Sequence, residues 1–231
     1  MGEMIQIEAS AGGGKFSAYL AKPESNSGPG LLLVQEIFGV NSHIKDVADL
    51  YAKDGFIVLA PDLFWRVEPG VELGYDAEAM QKGLALVGKL DDKLLMSDLA
   101  DTTKKLRSLS SSPKIGVCGY CFGGYIAYRV AAAQLVDASV SYYGGRIGGA
   151  LEHAKNIHCP MIMHFAANDN HIPLSTVIEI RDAFAKMPHV QINVYKDVDH
   201  GFNCDQRQTY NRQAAMLAYA RSSTFLHKHL S

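Results

Sequence analysis

The apolar run Lys114-Ile115-Gly116-Val117-Cys118 leads into Gly119-Tyr120-Cys121-Phe122-Gly123-Gly124 and then directly into a helix-forming stretch over residues 125–134. Few patterns constrain a fold more. A strand that becomes a helix within a few residues, around one side chain flanked by glycines, needs a sharp and strained turn. The glycines are required there because a Cβ would collide with the neighbouring strand or helix. Such a turn lifts Cys121 out at the end of the strand. It also aims the next backbone amide, that of Phe122, from the positive end of the helix.

The rest of the chain alternates in a way that suits this turn. Residues 4–8 and 15–20 flank the glycine turn at 11–14 and predict an antiparallel hairpin. Short, mostly apolar runs at 31–35, 57–60, 115–118, 138–142, 161–165 and 190–195 predict strands buried on both faces. Between them lie helical patterns. Leu95, Leu99, Thr102, Leu106 and Leu109 step along one face, as do Val177, Ile180, Phe184 and Met187 after Pro173. Residues 206–229 predict a last helix with Tyr210, Ala214, Leu217 and Phe225 turned inward, and another helix begins near Ser42. Strands alternating with helices give an α/β fold: a mostly parallel central sheet with helices on both faces. No linker divides the 231 residues, so a single domain over 1–231 is expected. Ligands in such sheets bind beyond the carboxyl ends of the strands, where Cys121 falls.

Composition excludes several classes. A net charge of −2 gives no reason to expect nucleic acid or an anionic membrane as partner, and no stretch approaches a membrane span. The first residues lack the basic start and apolar core of a signal peptide. Four unevenly spaced cysteines do not form a secreted disulfide framework, so a reduced, cytoplasmic setting is expected.

A thiol attacks as thiolate and needs a base, which in turn needs an orienting group. Asp169 follows the strand predicted at 161–165, and His200 follows the one at 190–195. Nucleophile, acid, histidine is the chain order of α/β-hydrolases, each on a loop after a strand. Asp197 and Asp199 compete as the acid, and His171 and His43 as the base. Glu36 ends an apolar strand and reads either as a partner of the thiol or as a cap for the helix near Ser42. Cys118 and Cys121 also match a Cys-x-x-Cys redox pair, but Cys118 belongs to the strand and the glycines fit an elbow better. No second Cys/His pair at ligand spacing supports zinc, so neither metal nor organic cofactor is expected.

Gln35-Glu36-Ile37-Phe38-Gly39-Val40-Asn41, Ala60-Pro61-Asp62-Leu63, the Cys121 elbow, Tyr142-Tyr143-Gly144, Asp169 and His200-Gly201-Phe202 together resemble the dienelactone hydrolase family of α/β-hydrolases. The resemblance covers nearly the whole chain. It implies that Cys121 attacks a small ester or lactone, His200 moves the proton, Asp169 orients His200, and Glu36 helps generate the thiolate. It places the oxyanion on the backbone amides of Ile37 and Phe122. From periodicity Phe38, Trp65 and Tyr143 read as core aromatics; lying near strand ends, they are also candidate pocket walls, as is Phe202, and the loop at 64–74 is a candidate lid or rim. The family grips a substrate carboxylate with two arginines. Here residues 75–88 hold only Lys82, and no arginine follows His200 before Arg207. Arg66 and Arg146 are the candidate replacements. The expected partner is a small-molecule ester or lactone, bound by a monomer or small homo-oligomer. A general carboxylesterase or thioesterase, or a catalytically silent binding protein of the same fold, is the alternative.

Overall fold

A computed structural model describes residues 2–231. The chain divides into two compact units that meet in sequence at Ile115 and Gly116. In the first, β1 (Glu3–Glu8) and β2 (Lys15–Ala21) form the predicted antiparallel hairpin. Strand β2 pairs antiparallel with β4 (Ile57–Pro61), and β4 pairs parallel with β3 (Gly30–Val34). Every residue of β3 and β4 is buried, as their unbroken apolar character requires. Helices α1 (Ser42–Lys53) and α3 (Asp92–Leu109) pack on these strands, with α2 (Ala77–Val87) between them in sequence.

In the second unit all strand pairs are parallel: β5 (Ile115–Tyr120) with β6 (Ala138–Tyr142), β6 with β7 (Met161–Ala166), and β7 with β8 (Val190–Tyr195). Helices α4 (Phe122–Ala132), α5 (Leu174–Ala183) and α6 (Arg212–Leu230) complete it, with a kinked 3-10 stretch at Ile147–Asn156. Strand β6 shows how the layers form. Ser139 and Ser141 donate to α4 carbonyls, while Tyr142 reaches Ser222 of α6. Successive strand residues face opposite ways, so α4 and α6 cover opposite faces of β6.

Local signals set most helix ends. Asn41, Asp76, Asp91 and Asn211 each accept a backbone N–H in the first turn of α1, α2, α3 and α6. Asn41 therefore caps α1, and the capping reading of Glu36 falls away. Two expectations need correction, and one helix is unpredicted. The last helix starts at Arg212, not 206, because Asn211 caps it and the preceding residues turn; Tyr210 and Leu217 are exposed while Ala214 and Phe225 are buried. Strand β8 is only half buried, as its sole strand partner within the unit is β7. Helix α2 is not signalled by a large apolar stripe, because its buried face includes Ala79 and Gly83, and a Cβ on Gly83 would strike the Ile37 carbonyl.

Candidate active site

The second unit assembles Cys121, Asp169 and His200 from three loops that follow β5, β7 and β8. Cys121 sits between β5 and α4 with φ 54° and ψ −113°, a left-handed conformation for a residue with a side chain. The predicted role of the glycines holds in atomic terms. A Cβ on Gly119 would strike the Gly123 carbonyl, and one on Gly124 would strike that of Tyr142. The Cys121 N–H donates to the Tyr142 carbonyl at 3.0 Å, which ties the elbow to the end of β6. The thiol is partly exposed, and no side chain caps the first turn of α4, so its leading amides are not claimed by a protein side-chain cap.

Asp169 is buried and divides its carboxylate. One oxygen accepts the backbone N–H groups of His171 and Ile172 at 2.7 and 3.0 Å. The other accepts from His200 Nδ1 at 2.7 Å. The first pair fixes the carboxylate, and the second fixes the ring. With Nδ1 taken, Nε2 is the ring nitrogen left for the interaction of His200 with the Cys121 thiol. Burial opposes charge on His200, but the sulfur of Cys121 and the carboxylate of Asp169 outweigh it and push the imidazole up to about 10. The rivals have other places. His171 is exposed, its backbone is bound to Asp169, and its ring lies 5.0 Å from that of His200. Asp199 accepts the backbone N–H of His200 and so shapes the loop rather than the ring.

Of the candidate walls, Tyr143 and Phe202 stand beside this group. The Tyr143 ring lies 5.0 Å from the His200 ring and 5.3 Å from that of Phe202, and all three residues are buried. Tyr143 also has a left-handed backbone, φ 38°. Arg146 is exposed and holds its guanidinium 5.9 Å from the Phe122 ring, with no ion pair to it among the described residues.

The candidates of the first unit have a different setting. Glu36 is buried just after β3 and accepts a hydrogen bond from the Tyr75 hydroxyl at 3.1 Å. Tyr75 in turn accepts from Asn41, so the capping residue of α1 also steadies the carboxylate. No signal in the sequence singles out Tyr75. Phe38 is buried edge-on to the Tyr75 ring at 4.6 Å, and Ile37 is buried beside it. Trp65 and Arg66 are engaged by Asp98: the indole N–H donates to it at 2.8 Å, and the guanidinium forms a two-pronged pair at 2.7 and 2.8 Å. Arg66 also donates to the Ala11 carbonyl and lies over the Trp65 ring, so its donor fork is largely filled by the chain itself. Lys82 pairs with Glu68 at 2.6 Å on the surface. The loop at 64–74 is pinned rather than loose: Asp62 accepts from Gly70, Phe38 from Leu73, and Gly39 bridges to Glu72.

No helix among the described residues is long and apolar enough to cross a membrane. The four cysteines are thiols rather than disulfides.

Comparison with known proteins agrees with this picture. The sequence pattern of the Dienelactone hydrolase family matches residues 16–230. The carboxymethylenebutenolidase of a Pseudomonas species is 34% identical over 228 residues, covering 97% of this chain and 94% of the relative. Carboxymethylenebutenolidase 1 of Cupriavidus pinatubonensis is 30% identical over 219 residues, covering 94% and 93%. A crystal structure from Klebsiella pneumoniae has a TM-score of 0.87 at 27% identity over 99% of each chain. The dienelactone hydrolase of Anabaena variabilis, at 20% identity and a TM-score of 0.68, shares the fold over 100% of this chain and 99% of its own. The predicted α/β-hydrolase fold is therefore the observed one. Carried by a family match over nearly its whole length, the chain belongs to the dienelactone hydrolase family and is a hydrolase.

Proposed function

We propose that the chain hydrolyses a small ester or lactone through Cys121, with His200 as proton carrier and Asp169 as its orienting partner. One observation carries the reading. A half-buried cysteine at a strained strand–helix turn interacts with a histidine whose Nδ1 is held at 2.7 Å by a buried carboxylate.

The chemistry follows from these contacts. His200 takes the thiol proton as the sulfur attacks the carbonyl carbon. The carbonyl electron pair moves to oxygen, and the resulting oxyanion is met by the Phe122 amide at the positive end of α4. The family resemblance adds the Ile37 amide. As the carbonyl re-forms, the C–O bond breaks and His200 gives its proton to the departing oxygen. In a lactone that oxygen stays tethered to the acyl group. A water then attacks the thioester while His200 takes its proton, and the thiolate leaves. The net reaction adds one water across the ester bond. Asp169 keeps the proton on Nδ1, so Nε2 faces the sulfur at each step. Glu36 is read as a group beside the thiol that helps His200 generate the thiolate, a role that rests on the resemblance. The family match runs through both units and supports reading them as one domain.

Arg146 is the candidate for an acyl group bearing a carboxylate, because it is exposed near Phe122 with no ion pair among the described residues. Arg66 is the weaker candidate, since Asp98 already fills its fork.

The test is kcat/KM for a dienelactone and for p-nitrophenyl acetate, with the Cys121→Ala protein as blank. Turnover of either substrate at about 10⁴ M⁻¹s⁻¹ or more, absent from the blank, is expected. Equal rates in both proteins would end the thiol mechanism. Activity confined to the neutral ester would remove the carboxylate role of Arg146.

A further inference from the structure

The left-handed backbone of Cys121 is a conformation that persists only where the surroundings over-determine it. In the second unit those surroundings converge on Tyr142, the last residue of β6. Its carbonyl accepts the Cys121 N–H at 3.0 Å, and its ring stacks on that of Tyr120, the residue before the thiol, at 4.5 Å. The adjacent Tyr143, whose ring borders His200, donates its N–H to the His164 carbonyl at 2.7 Å. One short segment thus touches the backbone of the thiol and the ring of its base.

Behind Tyr142 runs a hydrogen-bond chain whose direction can be worked out. Ser222 Oγ donates to the Ala218 carbonyl at 2.9 Å, because a carbonyl only accepts. Its oxygen must then accept both from the Tyr142 hydroxyl at 2.8 Å and from His164 Nε2 at 2.9 Å. This places the imidazole proton on Nε2 and leaves Nδ1 to accept from the Tyr195 hydroxyl at 2.9 Å. Tyr195 in turn accepts from Arg221 at 3.2 Å. Each hydroxyl and ring proton has one acceptor, and a single tautomer satisfies the whole chain. His164, Tyr142 and Ser222 are fully buried. The ring is also kept neutral, since burial and then the charge of Arg221 push it down to about 3.

We infer that Tyr142, His164 and Ser222 are positioning residues: a one-directional buried network that locks the end of β6 and thereby holds Cys121 and Tyr143 in register. The proposal rests on Cys121 as nucleophile. The network meets the elbow because Tyr142 is the register partner of Tyr120 and reaches it through both its carbonyl and its ring. Loss of the Tyr142 hydroxyl frees that tyrosine to shift, and small displacements of a nucleophile cost rate steeply.

The test uses Tyr142→Phe, which removes one hydroxyl and keeps the ring, alongside Ser222→Ala and Ser222→Thr. Two quantities are read in each. The first is the pH profile of iodoacetamide alkylation at Cys121, with the Cys121→Ala protein correcting for the other thiols. The second is kcat and KM for p-nitrophenyl acetate. Tyr142→Phe is expected to lose about tenfold in kcat with KM nearly unchanged, and to move the alkylation profile to higher pH. Ser222→Ala should do the same and Ser222→Thr, which restores the hydroxyl, should recover most of it. Wild-type values of kcat and of the alkylation profile in Tyr142→Phe would overturn the inference, whatever its thermal midpoint. If Ser222→Ala does not fold, Tyr142→Phe decides. Should the wild type itself turn over no ester, the hydrolase reading fails instead, and the alkylation profiles still judge the positioning role.

Discussion

His164 and His200 are both buried histidines of the second unit, both held through ring-nitrogen hydrogen bonds, and they titrate in opposite directions. Burial penalises the charged ring at both. The neighbours decide the outcome. Around His164 stand two hydroxyls and, beyond them, a cation, so nothing offsets the penalty. Around His200 stand a carboxylate and a sulfur that can itself become an anion, and together they reverse it. A buried histidine becomes a proton carrier when its partners can share the charge, and a fixed girder when they cannot.

Three experiments strain this contrast, the most severe first. Asp169→Asn removes the anion that fixes the His200 tautomer while keeping the shape of the side chain. A loss of about 10⁴ in kcat is expected, by analogy with the same change in a serine triad. A loss below tenfold would mean that the loop alone orients the ring.

Next, the titration of His200 is followed by NMR in wild type and in Cys121→Ala. With the sulfur gone, its share of the anionic support goes too, and the imidazole value should fall by more than one unit. An unchanged value would assign the whole effect to Asp169. Stability carries the same information. The raised value stabilises the wild type fully below the unfolded value of about 6.5, and this support is lost as pH climbs through about 10. Chemical denaturation of Cys121→Ala should therefore show a shallower decline across that window.

The smallest effect concerns His164. Its depressed value means that stability is intact above about pH 6.5 and drains as pH falls toward 3, because only the unfolded chain takes up the proton. The contribution amounts to at most about 1.4 kcal/mol per pH unit. His164→Gln, which cannot titrate, should flatten the acid limb of the stability profile. An unaltered slope there would show that carboxylates, not this ring, govern acid unfolding.

Much of this molecule can be read from its sequence where the signal is local. The buried strands are continuous apolar runs, and the elbow declares itself through Gly119, Gly123 and Gly124 around Cys121. Asp169 and His200 are found because each follows a strand, and the observed geometry joins them. Distance along the chain hides the rest. Asp98 looks like one more polar residue of an amphipathic helix, and nothing marks it as the anchor of Trp65 and Arg66 more than thirty positions earlier. The network through Tyr142, His164, Tyr195 and Ser222 gathers residues up to 80 positions apart. Its members read only as residues of three strands and the last helix until the fold brings them together. Helix α2 escapes for another reason, since over its first two turns the buried positions are Ala79 and Gly83, which give little periodic signal before Leu86 and Val87.

The backbone angle at Cys121 has one more consequence. A residue without a β-carbon would occupy φ 54° with less strain, so the position proposed to carry the chemistry is also one where glycine would relax the chain. Any screen that rewards heat resistance alone will therefore favour sequences that have discarded the thiol. Thermal selection on this scaffold needs an activity gate at that one codon, or it will enrich for well-folded proteins without the proposed nucleophile.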